Sequence, residues 1–271
     1  MKIMVIDRDR DSVEKIENLC RDMGGIELVI EPIKNNALEL LRTDAFDAVL
    51  FDPAPQNNEL RGFVIGVRRG NPQYLPIIIM SHQLSLDEVM SMGANDYIAK
   101  PLDIDVTKSK IENVKKIISL NKKLSDEQED FPSRDGLISK SAFNQIFISS
   151  LDRADRYGEK TYLTFVGIKN IDDIRRDHGD TIADEICENL KTYTMRIRRL
   201  SDIAGRTAKS EICLMLMRPA NDEEPKMAIN RFVEAMDEYA ELIKMPNVET
   251  VISVSMMAIP SGEITFYQEF K

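Results

Sequence analysis

An Arg-x-x-Asp motif, Arg199 to Asp202, lies in a basic cluster in the second half of the chain. Two further arginines, Arg196 and Arg198, stand just before it. The whole chain has a formal net charge of −10, which argues against a general nucleic-acid binder, so the cluster indicates a local anion site. Arginine side chains hold phosphate oxygens through a planar fork of N–H donors. The motif therefore predicts a site for a phosphate-bearing ligand.

The turn that follows the motif lacks groups that a nucleotide-converting enzyme needs. It reads Ala208-Lys209-Ser210-Glu211, and the next segment, Ile212–Met217, has the pattern of a strand. Glycines in this turn would let the backbone approach a nucleotide, and acidic side chains would hold a metal ion. Because phosphate-binding groups are present while metal-binding groups are missing, the segment indicates binding without turnover.

A second group of reactive side chains lies in the first half, at the ends of predicted strands. Five short apolar runs alternate there with helical spacing: Ile3–Ile6, Ile26–Ile30, Ala48–Phe51, Pro76–Met80 and Tyr97–Ala99. This alternation predicts an α/β domain over residues 1–105, with a five-stranded parallel (βα)5 sheet. The carboxyl ends of parallel strands meet at one edge. We therefore expect the side chains that follow these strands to lie together: Asp7, Asp9, Asp52, Ser81 and Lys100.

That set suits phosphoryl transfer to Asp52. Lys100 would neutralise the added oxygens, and the Ser81 hydroxyl would hydrogen-bond them. Residues 1–102, with Asp52 ending one apolar run and Lys100-Pro101 ending another, resemble a response-regulator receiver domain over its full length. The resemblance implies that Asp52 is the phosphoacceptor, that Tyr97 is the switch aromatic and that a histidine kinase is an upstream partner.

Arg8 departs from the receiver pattern. Receivers usually carry two adjacent acids after the first strand, and the second, which binds Mg²⁺ directly, is Arg8 here. Two interpretations stay open. One is a phosphorylatable switch with a weak Mg²⁺ site at Asp7, Asp9 and Asp52. The other, slightly favoured because Mg²⁺ is central to phosphorylation, is a receiver-shaped scaffold in which Arg8 pairs with Asp52.

Residues 106–130 predict a helical linker. One face of this stretch forms a stripe with a three–four spacing. It carries the apolar residues Ile111, Val114, Ile118 and Leu124 and one polar residue, Asn121. For the first two turns, packing of the stripe on the helix's own sheet is favoured. A parallel homodimer, with Asn121 setting the register, is the alternative. The acidic run that ends at Asp130 predicts the boundary to the next domain.

Residues 131–271 predict an α+β domain with a mixed or antiparallel sheet, because helices separate the strands and a hairpin-like turn falls at 205–211. This half resembles a GGDEF (diguanylate cyclase) domain. Three segments carry the resemblance: Asp135-Gly136-Leu137, Asp177–Glu185 and Arg206–Ile212. The aromatic side chains near the end, Phe266, Tyr267 and Phe270, are expected to cover the core as a short segment. The alternative is an aromatic docking tail for a partner protein.

The GGDEF resemblance implies that the catalytic groups are missing. In active members an Asp at the end of the first strand and an acid in the signature hold Mg²⁺ on GTP, and the aligned residues here are Gly167 and Ser210. A guanine-reading Asn becomes Arg175, although its partner acid survives as Asp184. The altered signature consists of Ala208, Lys209, Ser210, Glu211 and Ile212. Two-metal catalysis cannot run without its carboxylates, so the sequence predicts a protein that is not an enzyme and has no cofactor.

The product-binding site of the family is retained. In GGDEF proteins an Arg-x-x-Asp five residues before the signature binds cyclic di-GMP, and Asp202 has this spacing to Ala208. A further arginine from the next helix completes the site, and Arg231 is well placed. We therefore predict cyclic di-GMP binding at Arg199, Asp202 and Arg231. The alternative is a solvated helix end with a local ion pair.

These features together predict a non-catalytic signalling effector that binds cyclic di-GMP and acts through an unidentified protein partner, with the receiver as a gate. The alternatives are a nucleotide-independent interaction module and a weak cyclase that uses Glu211 and Lys209. No apolar run is long enough to span a membrane, no signal peptide is recognisable, and the three cysteines are scattered, all of which favour the cytoplasm.

Overall fold

A computed structural model describes residues 1–70, 74–126, 131–242 and 247–270. The chain forms two compact units. The first contains Met1–Ser119, Leu151–Glu159 and Pro260–Gly262, and the second contains Leu120–Ser150, Lys160–Ile259 and Glu263–Lys271. The domain limits proposed from the sequence stay predictions, and most of the acidic run before Asp130 lies outside the described residues.

The first unit is built from alternating strands and helices. Their order is β1 Lys2–Ile6, α1 Arg10–Met23, β2 Glu27–Ile30, α2 Lys34–Thr43, β3 Ala48–Phe51, α3 Leu60–Gly70, β4 Ile77–Ser81, α4 Leu86–Ser91, β5 Asp96–Ala99 and α5 Ile104–Ser125, of which the part up to Ser119 belongs to this unit. The strands form one five-stranded sheet in the order β2-β1-β3-β4-β5, and every pairing is parallel. This confirms the predicted receiver-type sheet.

Alternation along the strands gives this sheet two cores. Ile3 and Val5 of β1 pack on one face with Ile16 of α1 and Ile111 of α5. The intervening Met4, with Ile6, packs on the other face against α2, α3 and α4. Because both faces are covered, the central strands β1, β3 and β4 are almost entirely apolar, which is why they could be recognised as short apolar runs.

Helix α5 continues through most of the predicted linker. Ile111 and Val114 belong to the core of the first unit, while Leu120 and Leu124, further along the helix, are also buried. A dimer seam on the same stripe would require these side chains to leave their buried positions, which would expose apolar surface to water. The structure therefore favours the packing interpretation of this stripe.

The second unit is an antiparallel sheet with helices. Its elements are the first part of α6 Lys140–Tyr157, as far as Ser150, then β6 Thr161–Ile168, α7 Ile171–His178, α8 Asp180–Ile197, β7 Ile203–Ala208, β8 Glu211–Met217, α9 Glu224–Leu242, β9 Ile252–Ile259 and β10 Ile264–Phe270. The sheet order is β10-β9-β6-β8-β7, and each pairing is antiparallel. The predicted α+β fold is therefore confirmed.

The end of the described chain forms strand β10, which the sequence predicted only as a short core segment. Phe270 is buried, and Phe266 packs against the same core cluster. Tyr267 is 56% exposed, so the expected core role was wrong for this residue. The reason is the two-residue alternation of a strand, which turns Tyr267 to the opposite face from its neighbours.

None of the helices in the described parts of the chain has the length and apolar character to cross a membrane. The three cysteines, Cys20, Cys187 and Cys213, are buried as free thiols.

Candidate functional site

The carboxyl edge of the parallel sheet contains a buried cluster of charges. The Lys100 side chain is 0% exposed, and its Nζ lies 2.7 Å from Asp7 Oδ2 and 2.5 Å from Asp52 Oδ2. Asp9 Oδ2 lies further from the same ammonium, at 3.7 Å. Strands β1, β3 and β5 deliver these residues to one place, as the sequence predicted from their positions after three apolar runs.

Burial and mutual contact set the charge states in this cluster. Burial raises the pKa of Asp7 above its ordinary value, although the hydrogen bond and charge of Lys100 act in the opposite direction. Burial also opposes the charge on Lys100, but hydrogen bonds and the charges of Asp52 and Asp7 outweigh it and raise the pKa of the ammonium. Lys100 is thus the counterion of both carboxylates.

Asp9 has a second role that the sequence did not reveal. It is the N-cap residue of α1, where its carboxylate accepts from the Asp11 amide at 3.2 Å and from the Ser12 hydroxyl at 2.6 Å. The hydrogen bond from Ser12 lowers the pKa of Asp9. Its oxygens therefore satisfy the free amides of a helix end rather than point toward a shared metal position.

Arg8 does not form the ion pair with Asp52 that the scaffold interpretation expected. Arg8 is exposed, and its Nε donates to the Pro32 carbonyl at 3.4 Å. Lys100 pairs with Asp52 instead, because its buried stem places the ammonium beside the carboxylate from within the sheet edge. Asp52 Oδ1 also accepts from the Ala54 amide at 2.9 Å.

Ser81 and Tyr97 lie at the same edge and contact each other. The Tyr97 hydroxyl donates to the Ser81 carbonyl at 3.0 Å. The Ser81 hydroxyl accepts from the amides of Gln83 and Leu84 at 3.1 and 3.2 Å. Its proton is still available to an acceptor, but its lone pairs already stabilise the turn after β4.

The receiver-type pocket places an ammonium among its three carboxylates. Mg²⁺ takes oxygen ligands in near-octahedral geometry, so a Mg²⁺ ion here would compete with Lys100 for the oxygens of Asp7 and Asp52. Within the ranges that the structure describes, no group of three or more His, Cys, Asp or Glu side chains is arranged to hold a metal ion.

In the second unit, strands β7 and β8 form the hairpin that contains the altered signature. Ala208 pairs with Glu211 across the hairpin, so Lys209 and Ser210 form the turn. On the neighbouring strand β6, Gly167 pairs with Glu211. A Cβ atom at Gly167 would lie 3.1 Å from the Ser210 carbonyl oxygen. The hairpin therefore closes tightly over the position where an active member carries an aspartate.

Glu211, the acid left in this hairpin, is already neutralised. Lys123 of α5 donates to its Oε1 at 2.6 Å, and the Thr207 hydroxyl donates to the same oxygen. The Glu211 oxygen that a metal ion would need thus already accepts from an ammonium and a hydroxyl. With Gly167 and Ser210 contributing no carboxylate, the donor set of the hairpin does not fit Mg²⁺ on a nucleotide.

The predicted guanine-reading acid of the cyclase outline is also paired. Arg175 NH2 lies 3.1 Å from Asp184 Oδ1, and Arg175 NH1 lies 2.8 Å from Asp180 Oδ1. Arg175 lies in the last turn of α7, and its side chain bridges this helix to the start of α8. A guanine base would have to break the contact between Arg175 and Asp184 to reach the Asp184 carboxylate. This ion pair lies at the surface, so breaking it costs little free energy.

The Arg-x-x-Asp motif forms a tight turn between α8 and β7. The Asp202 amide donates to the Arg199 carbonyl at 3.1 Å, and the Arg199 amide donates to Asp202 Oδ2 at 3.2 Å. Arg198 NH1 fixes the turn further, because it donates to the Asp202 carbonyl at 2.8 Å. The backbone therefore presents Asp202 from a fixed position.

A small cavity of about 30 Å³ lies at this turn, lined by Asp202, Arg198 and Arg231 above an apolar floor that includes Leu214 and Met256. Asp202 Oδ1 and Arg198 Nε are buried, and neither has a hydrogen-bond partner among the described residues. Burial raises the pKa of Asp202, while its bond to the Arg199 amide and the charges of Arg199, Arg231 and Arg198 act to lower it.

Comparison with known proteins finds a match for each half of the chain, in agreement with the resemblances noted in the sequence. Residues 135–264 match the family described as diguanylate cyclase, GGDEF domain. The chain is also 28% identical over 120 residues to the chemotaxis protein CheY of Pseudomonas aeruginosa, across 42% of this chain and 95% of that protein. Residues 135–264 thus match the GGDEF family, and the first half is similar to a receiver protein.

Solved receiver structures are similar to the first half. A response regulator from Thermotoga maritima is 26% identical, with a TM-score of 0.38, over 44% of this chain and 97% of that one. The receiver domain of the Francisella response regulator 1452 is 24% identical, with a TM-score of 0.37, over 43% of this chain and 97% of that one.

The GGDEF half brings together Asp202 and Arg231 as predicted, but it adds Arg198 and directs Arg199 elsewhere. Arg199 NH1 lies 2.9 Å from Glu224 Oε1 at the start of α9. The basic cluster before the motif was the only sequence signal for Arg198, and nothing in the sequence singled out Glu224. Which arginine of an adjacent pair lines the cavity depends on the turn geometry.

Proposed function

We propose that this receiver–GGDEF protein is a signalling effector that binds cyclic di-GMP at the turn after α8 and does not convert GTP. The ligand contacts assigned by this proposal are Arg199, Asp202 and Arg231, with Arg198 added from its place at the cavity. The ligand would change the protein's fit to a partner protein, and the receiver domain would gate or hold that surface.

The observation that carries the proposal is the pair of buried, unpartnered atoms at the cavity. Asp202 Oδ1 is an acceptor and Arg198 Nε is a donor, and both lack partners among the residues that the structure describes. A buried polar group without a partner costs about 1–3 kcal/mol. A ligand that offers a donor to Asp202 and an acceptor to Arg198 would remove both costs.

The edge of guanine offers that combination. Its N1–H and amino group can donate to a carboxylate, and its O6 and N7 accept from arginine. The cavity admits a group about the size of one water molecule, so the polar edge of the base enters and the ring system lies at its mouth. The phosphates of the dinucleotide would then face the exposed Arg231 and the half-buried Arg199.

Isothermal titration with cyclic di-GMP, on protein stripped of nucleotide by unfolding and refolding, tests the proposal. We expect binding by the parent and an affinity about 10- to 100-fold lower for Asp202→Asn, because the amide replaces an acceptor with a donor in a buried position. Asp237→Asn, an exposed site on α9, makes the same change of charge and should leave the affinity close to that of the parent.

No heat of binding from the stripped parent would end this proposal and would select the nucleotide-independent interaction module. Equal affinity losses in Asp202→Asn and Asp237→Asn would also contradict it, because the effect would then come from net charge alone.

We propose that the protein does not convert GTP because of the side chains in and beside the signature hairpin. Gly167 and Ser210 provide no carboxylate, and Glu211 is held by Lys123 and Thr207. Without a charge clamp on the reacting phosphates, the charge that develops in the transition state is not stabilised, and such stabilisation contributes most of the rate in phosphoryl transfer. Incubation with GTP and either Mg²⁺ or Mn²⁺ should therefore form no cyclic dinucleotide above a protein-free blank.

Sustained product formation that disappears in Glu211→Ala would overturn this expectation and establish the weak cyclase. The matched control is Glu223→Ala, which removes an exposed acid of the same kind just before α9 and should have no effect in either case.

The receiver domain is proposed to act as a scaffold, without phosphorylation at Asp52. The support is Arg8, which stands where receivers carry the second of two adjacent acids, the one that binds Mg²⁺ directly. A histidine kinase is therefore not part of this proposal, whereas a protein partner, a cytoplasmic location and a homodimer are compatible with it. Labelling of the parent by acetyl phosphate, but not of Asp52→Asn, would contradict the scaffold role.

A further inference from the structure

Arg199 is held by an acidic residue of the same unit. Its NH1 lies 2.9 Å from Glu224 Oε1, and the two side chains are 30% and 28% exposed. The other oxygen of Glu224 accepts from the Ala220 amide at 2.7 Å. Each oxygen of the Glu224 carboxylate therefore has its own donor, and the carboxylate holds the Arg199 guanidinium in one position.

The Glu224 carboxylate lies at the Arg-x-x-Asp motif, where a negatively charged ligand would contact Arg199. Arg199 is the arginine that the motif offers to a ligand, and its backbone amide is bonded to Asp202. Arg231, which lines the cavity with Asp202, lies about two turns further along the same helix that Glu224 begins. A negatively charged oxygen therefore already satisfies one of the cations of the site.

We propose that Glu224 is an internal competitor for the ligand. Its carboxylate holds Arg199 in the free protein, and an oxygen of the bound dinucleotide displaces it. The inference rests on the proposed function, since it concerns the regulation of the same site. Binding then breaks one ion pair to form another, so that the affinity is lower than the arginine alone would give.

Glu224→Gln tests this competition without removing the side chain. Glutamine can still accept from the Ala220 amide, but it no longer attracts the guanidinium as a charge. We expect the dissociation constant for cyclic di-GMP, measured by isothermal titration, to fall by about two- to five-fold, the range that corresponds to a partly exposed ion pair.

Two controls separate competition from a general effect of charge. Glu223→Gln makes the same change at the neighbouring residue, whose partner is the exposed Lys226 at 2.7 Å, and it should leave the affinity unchanged. In an Arg199→Ala background, Glu224→Gln should bring no gain, because the guanidinium for which the two anions compete is gone.

The outcomes distinguish the inference from the proposed function. A parent that binds, with Glu224→Gln no tighter than Glu223→Gln, overturns the competitor role and leaves the binding site standing. A gain that persists in the Arg199→Ala background also overturns it. If neither the parent nor any variant binds cyclic di-GMP, the proposed function fails and this inference fails with it.

Discussion

Replacing Lys100 by methionine is expected to destabilise the first unit by about 3–5 kcal/mol near neutral pH. The Lys100 side chain is fully buried, and it lies within 2.7 Å of Asp7 and 2.5 Å of Asp52. Methionine keeps most of the apolar stem but removes the charge, so that two buried carboxylates lose their counterion. Differential scanning calorimetry, which follows the two units in one scan, measures the loss.

The loss should depend on pH in a defined direction. In the parent, burial raises the pKa of Asp7 above its ordinary value, so the folded state binds a proton more readily than the unfolded state, and this contribution to stability decreases as the pH rises. Without Lys100 the pKa of Asp7 in the folded state rises further. The variant should therefore recover part of its stability when the pH falls from about 7.5 to about 5.5.

Lys34→Met is the matched control, because Lys34 pairs with Glu59 while both side chains are partly exposed. Its effect should stay within about 1 kcal/mol and change little with pH. A Lys100→Met protein as stable as Lys34→Met at both pH values would show that Lys100 is not the counterion of the pocket.

The sheet of the receiver domain could be predicted from the sequence because its central strands, β1, β3 and β4, are almost completely buried. Runs such as Ile3–Ile6 and Ala48–Phe51 are apolar without interruption, and the reactive residues follow them directly. The cation that pairs with Asp52 could not be predicted from the sequence. Arg8 and Lys100 are both cations near Asp52, and only the path of the backbone determines that Lys100 enters the sheet edge while Arg8 turns to Pro32.

The GGDEF domain shows the same limit at its ligand site. The spacing of Asp202 from the signature predicted a ligand site with Arg231, and the structure places Arg231 at the same cavity as Asp202. Helix α7 was missed because its eight residues contain only two apolar side chains, Ile171 and Ile174, which is too few for a clear helical period. The pairing of Arg199 with Glu224 joins residues 25 positions apart, and no local pattern signals such a contact.

Gly205→Ala is the second large effect that we expect, with a loss of about 3 kcal/mol in the stability of the second unit. Gly205 lies in β7, and a Cβ atom there would come within 2.5 Å of Phe143 Cδ2 and 2.8 Å of Phe143 Cγ. Phe143 of α6 is 0% exposed, so its ring has no free space into which it can move. In calorimetry this loss corresponds to a decrease of roughly 10 °C in the melting temperature of the unit.

A double-mutant cycle identifies Phe143 as the source of the clash. Phe143→Leu alone should cost about 1.5 kcal/mol as a volume-reducing change in a packed core. In the double variant the smaller leucine leaves space for the new methyl group, so the combined loss should be smaller than the sum by about 1–2 kcal/mol.

Gly62→Ala provides the control for the glycine substitution itself. A Cβ atom at Gly62 would meet nothing within 4 Å, and the residue is exposed in helix α3, where alanine is favoured over glycine by about 0.5–1 kcal/mol. The two substitutions should therefore have opposite signs. If Gly205→Ala is neutral, or if its loss adds fully to that of Phe143→Leu, the close approach of α6 to β7 does not limit the stability of the GGDEF domain.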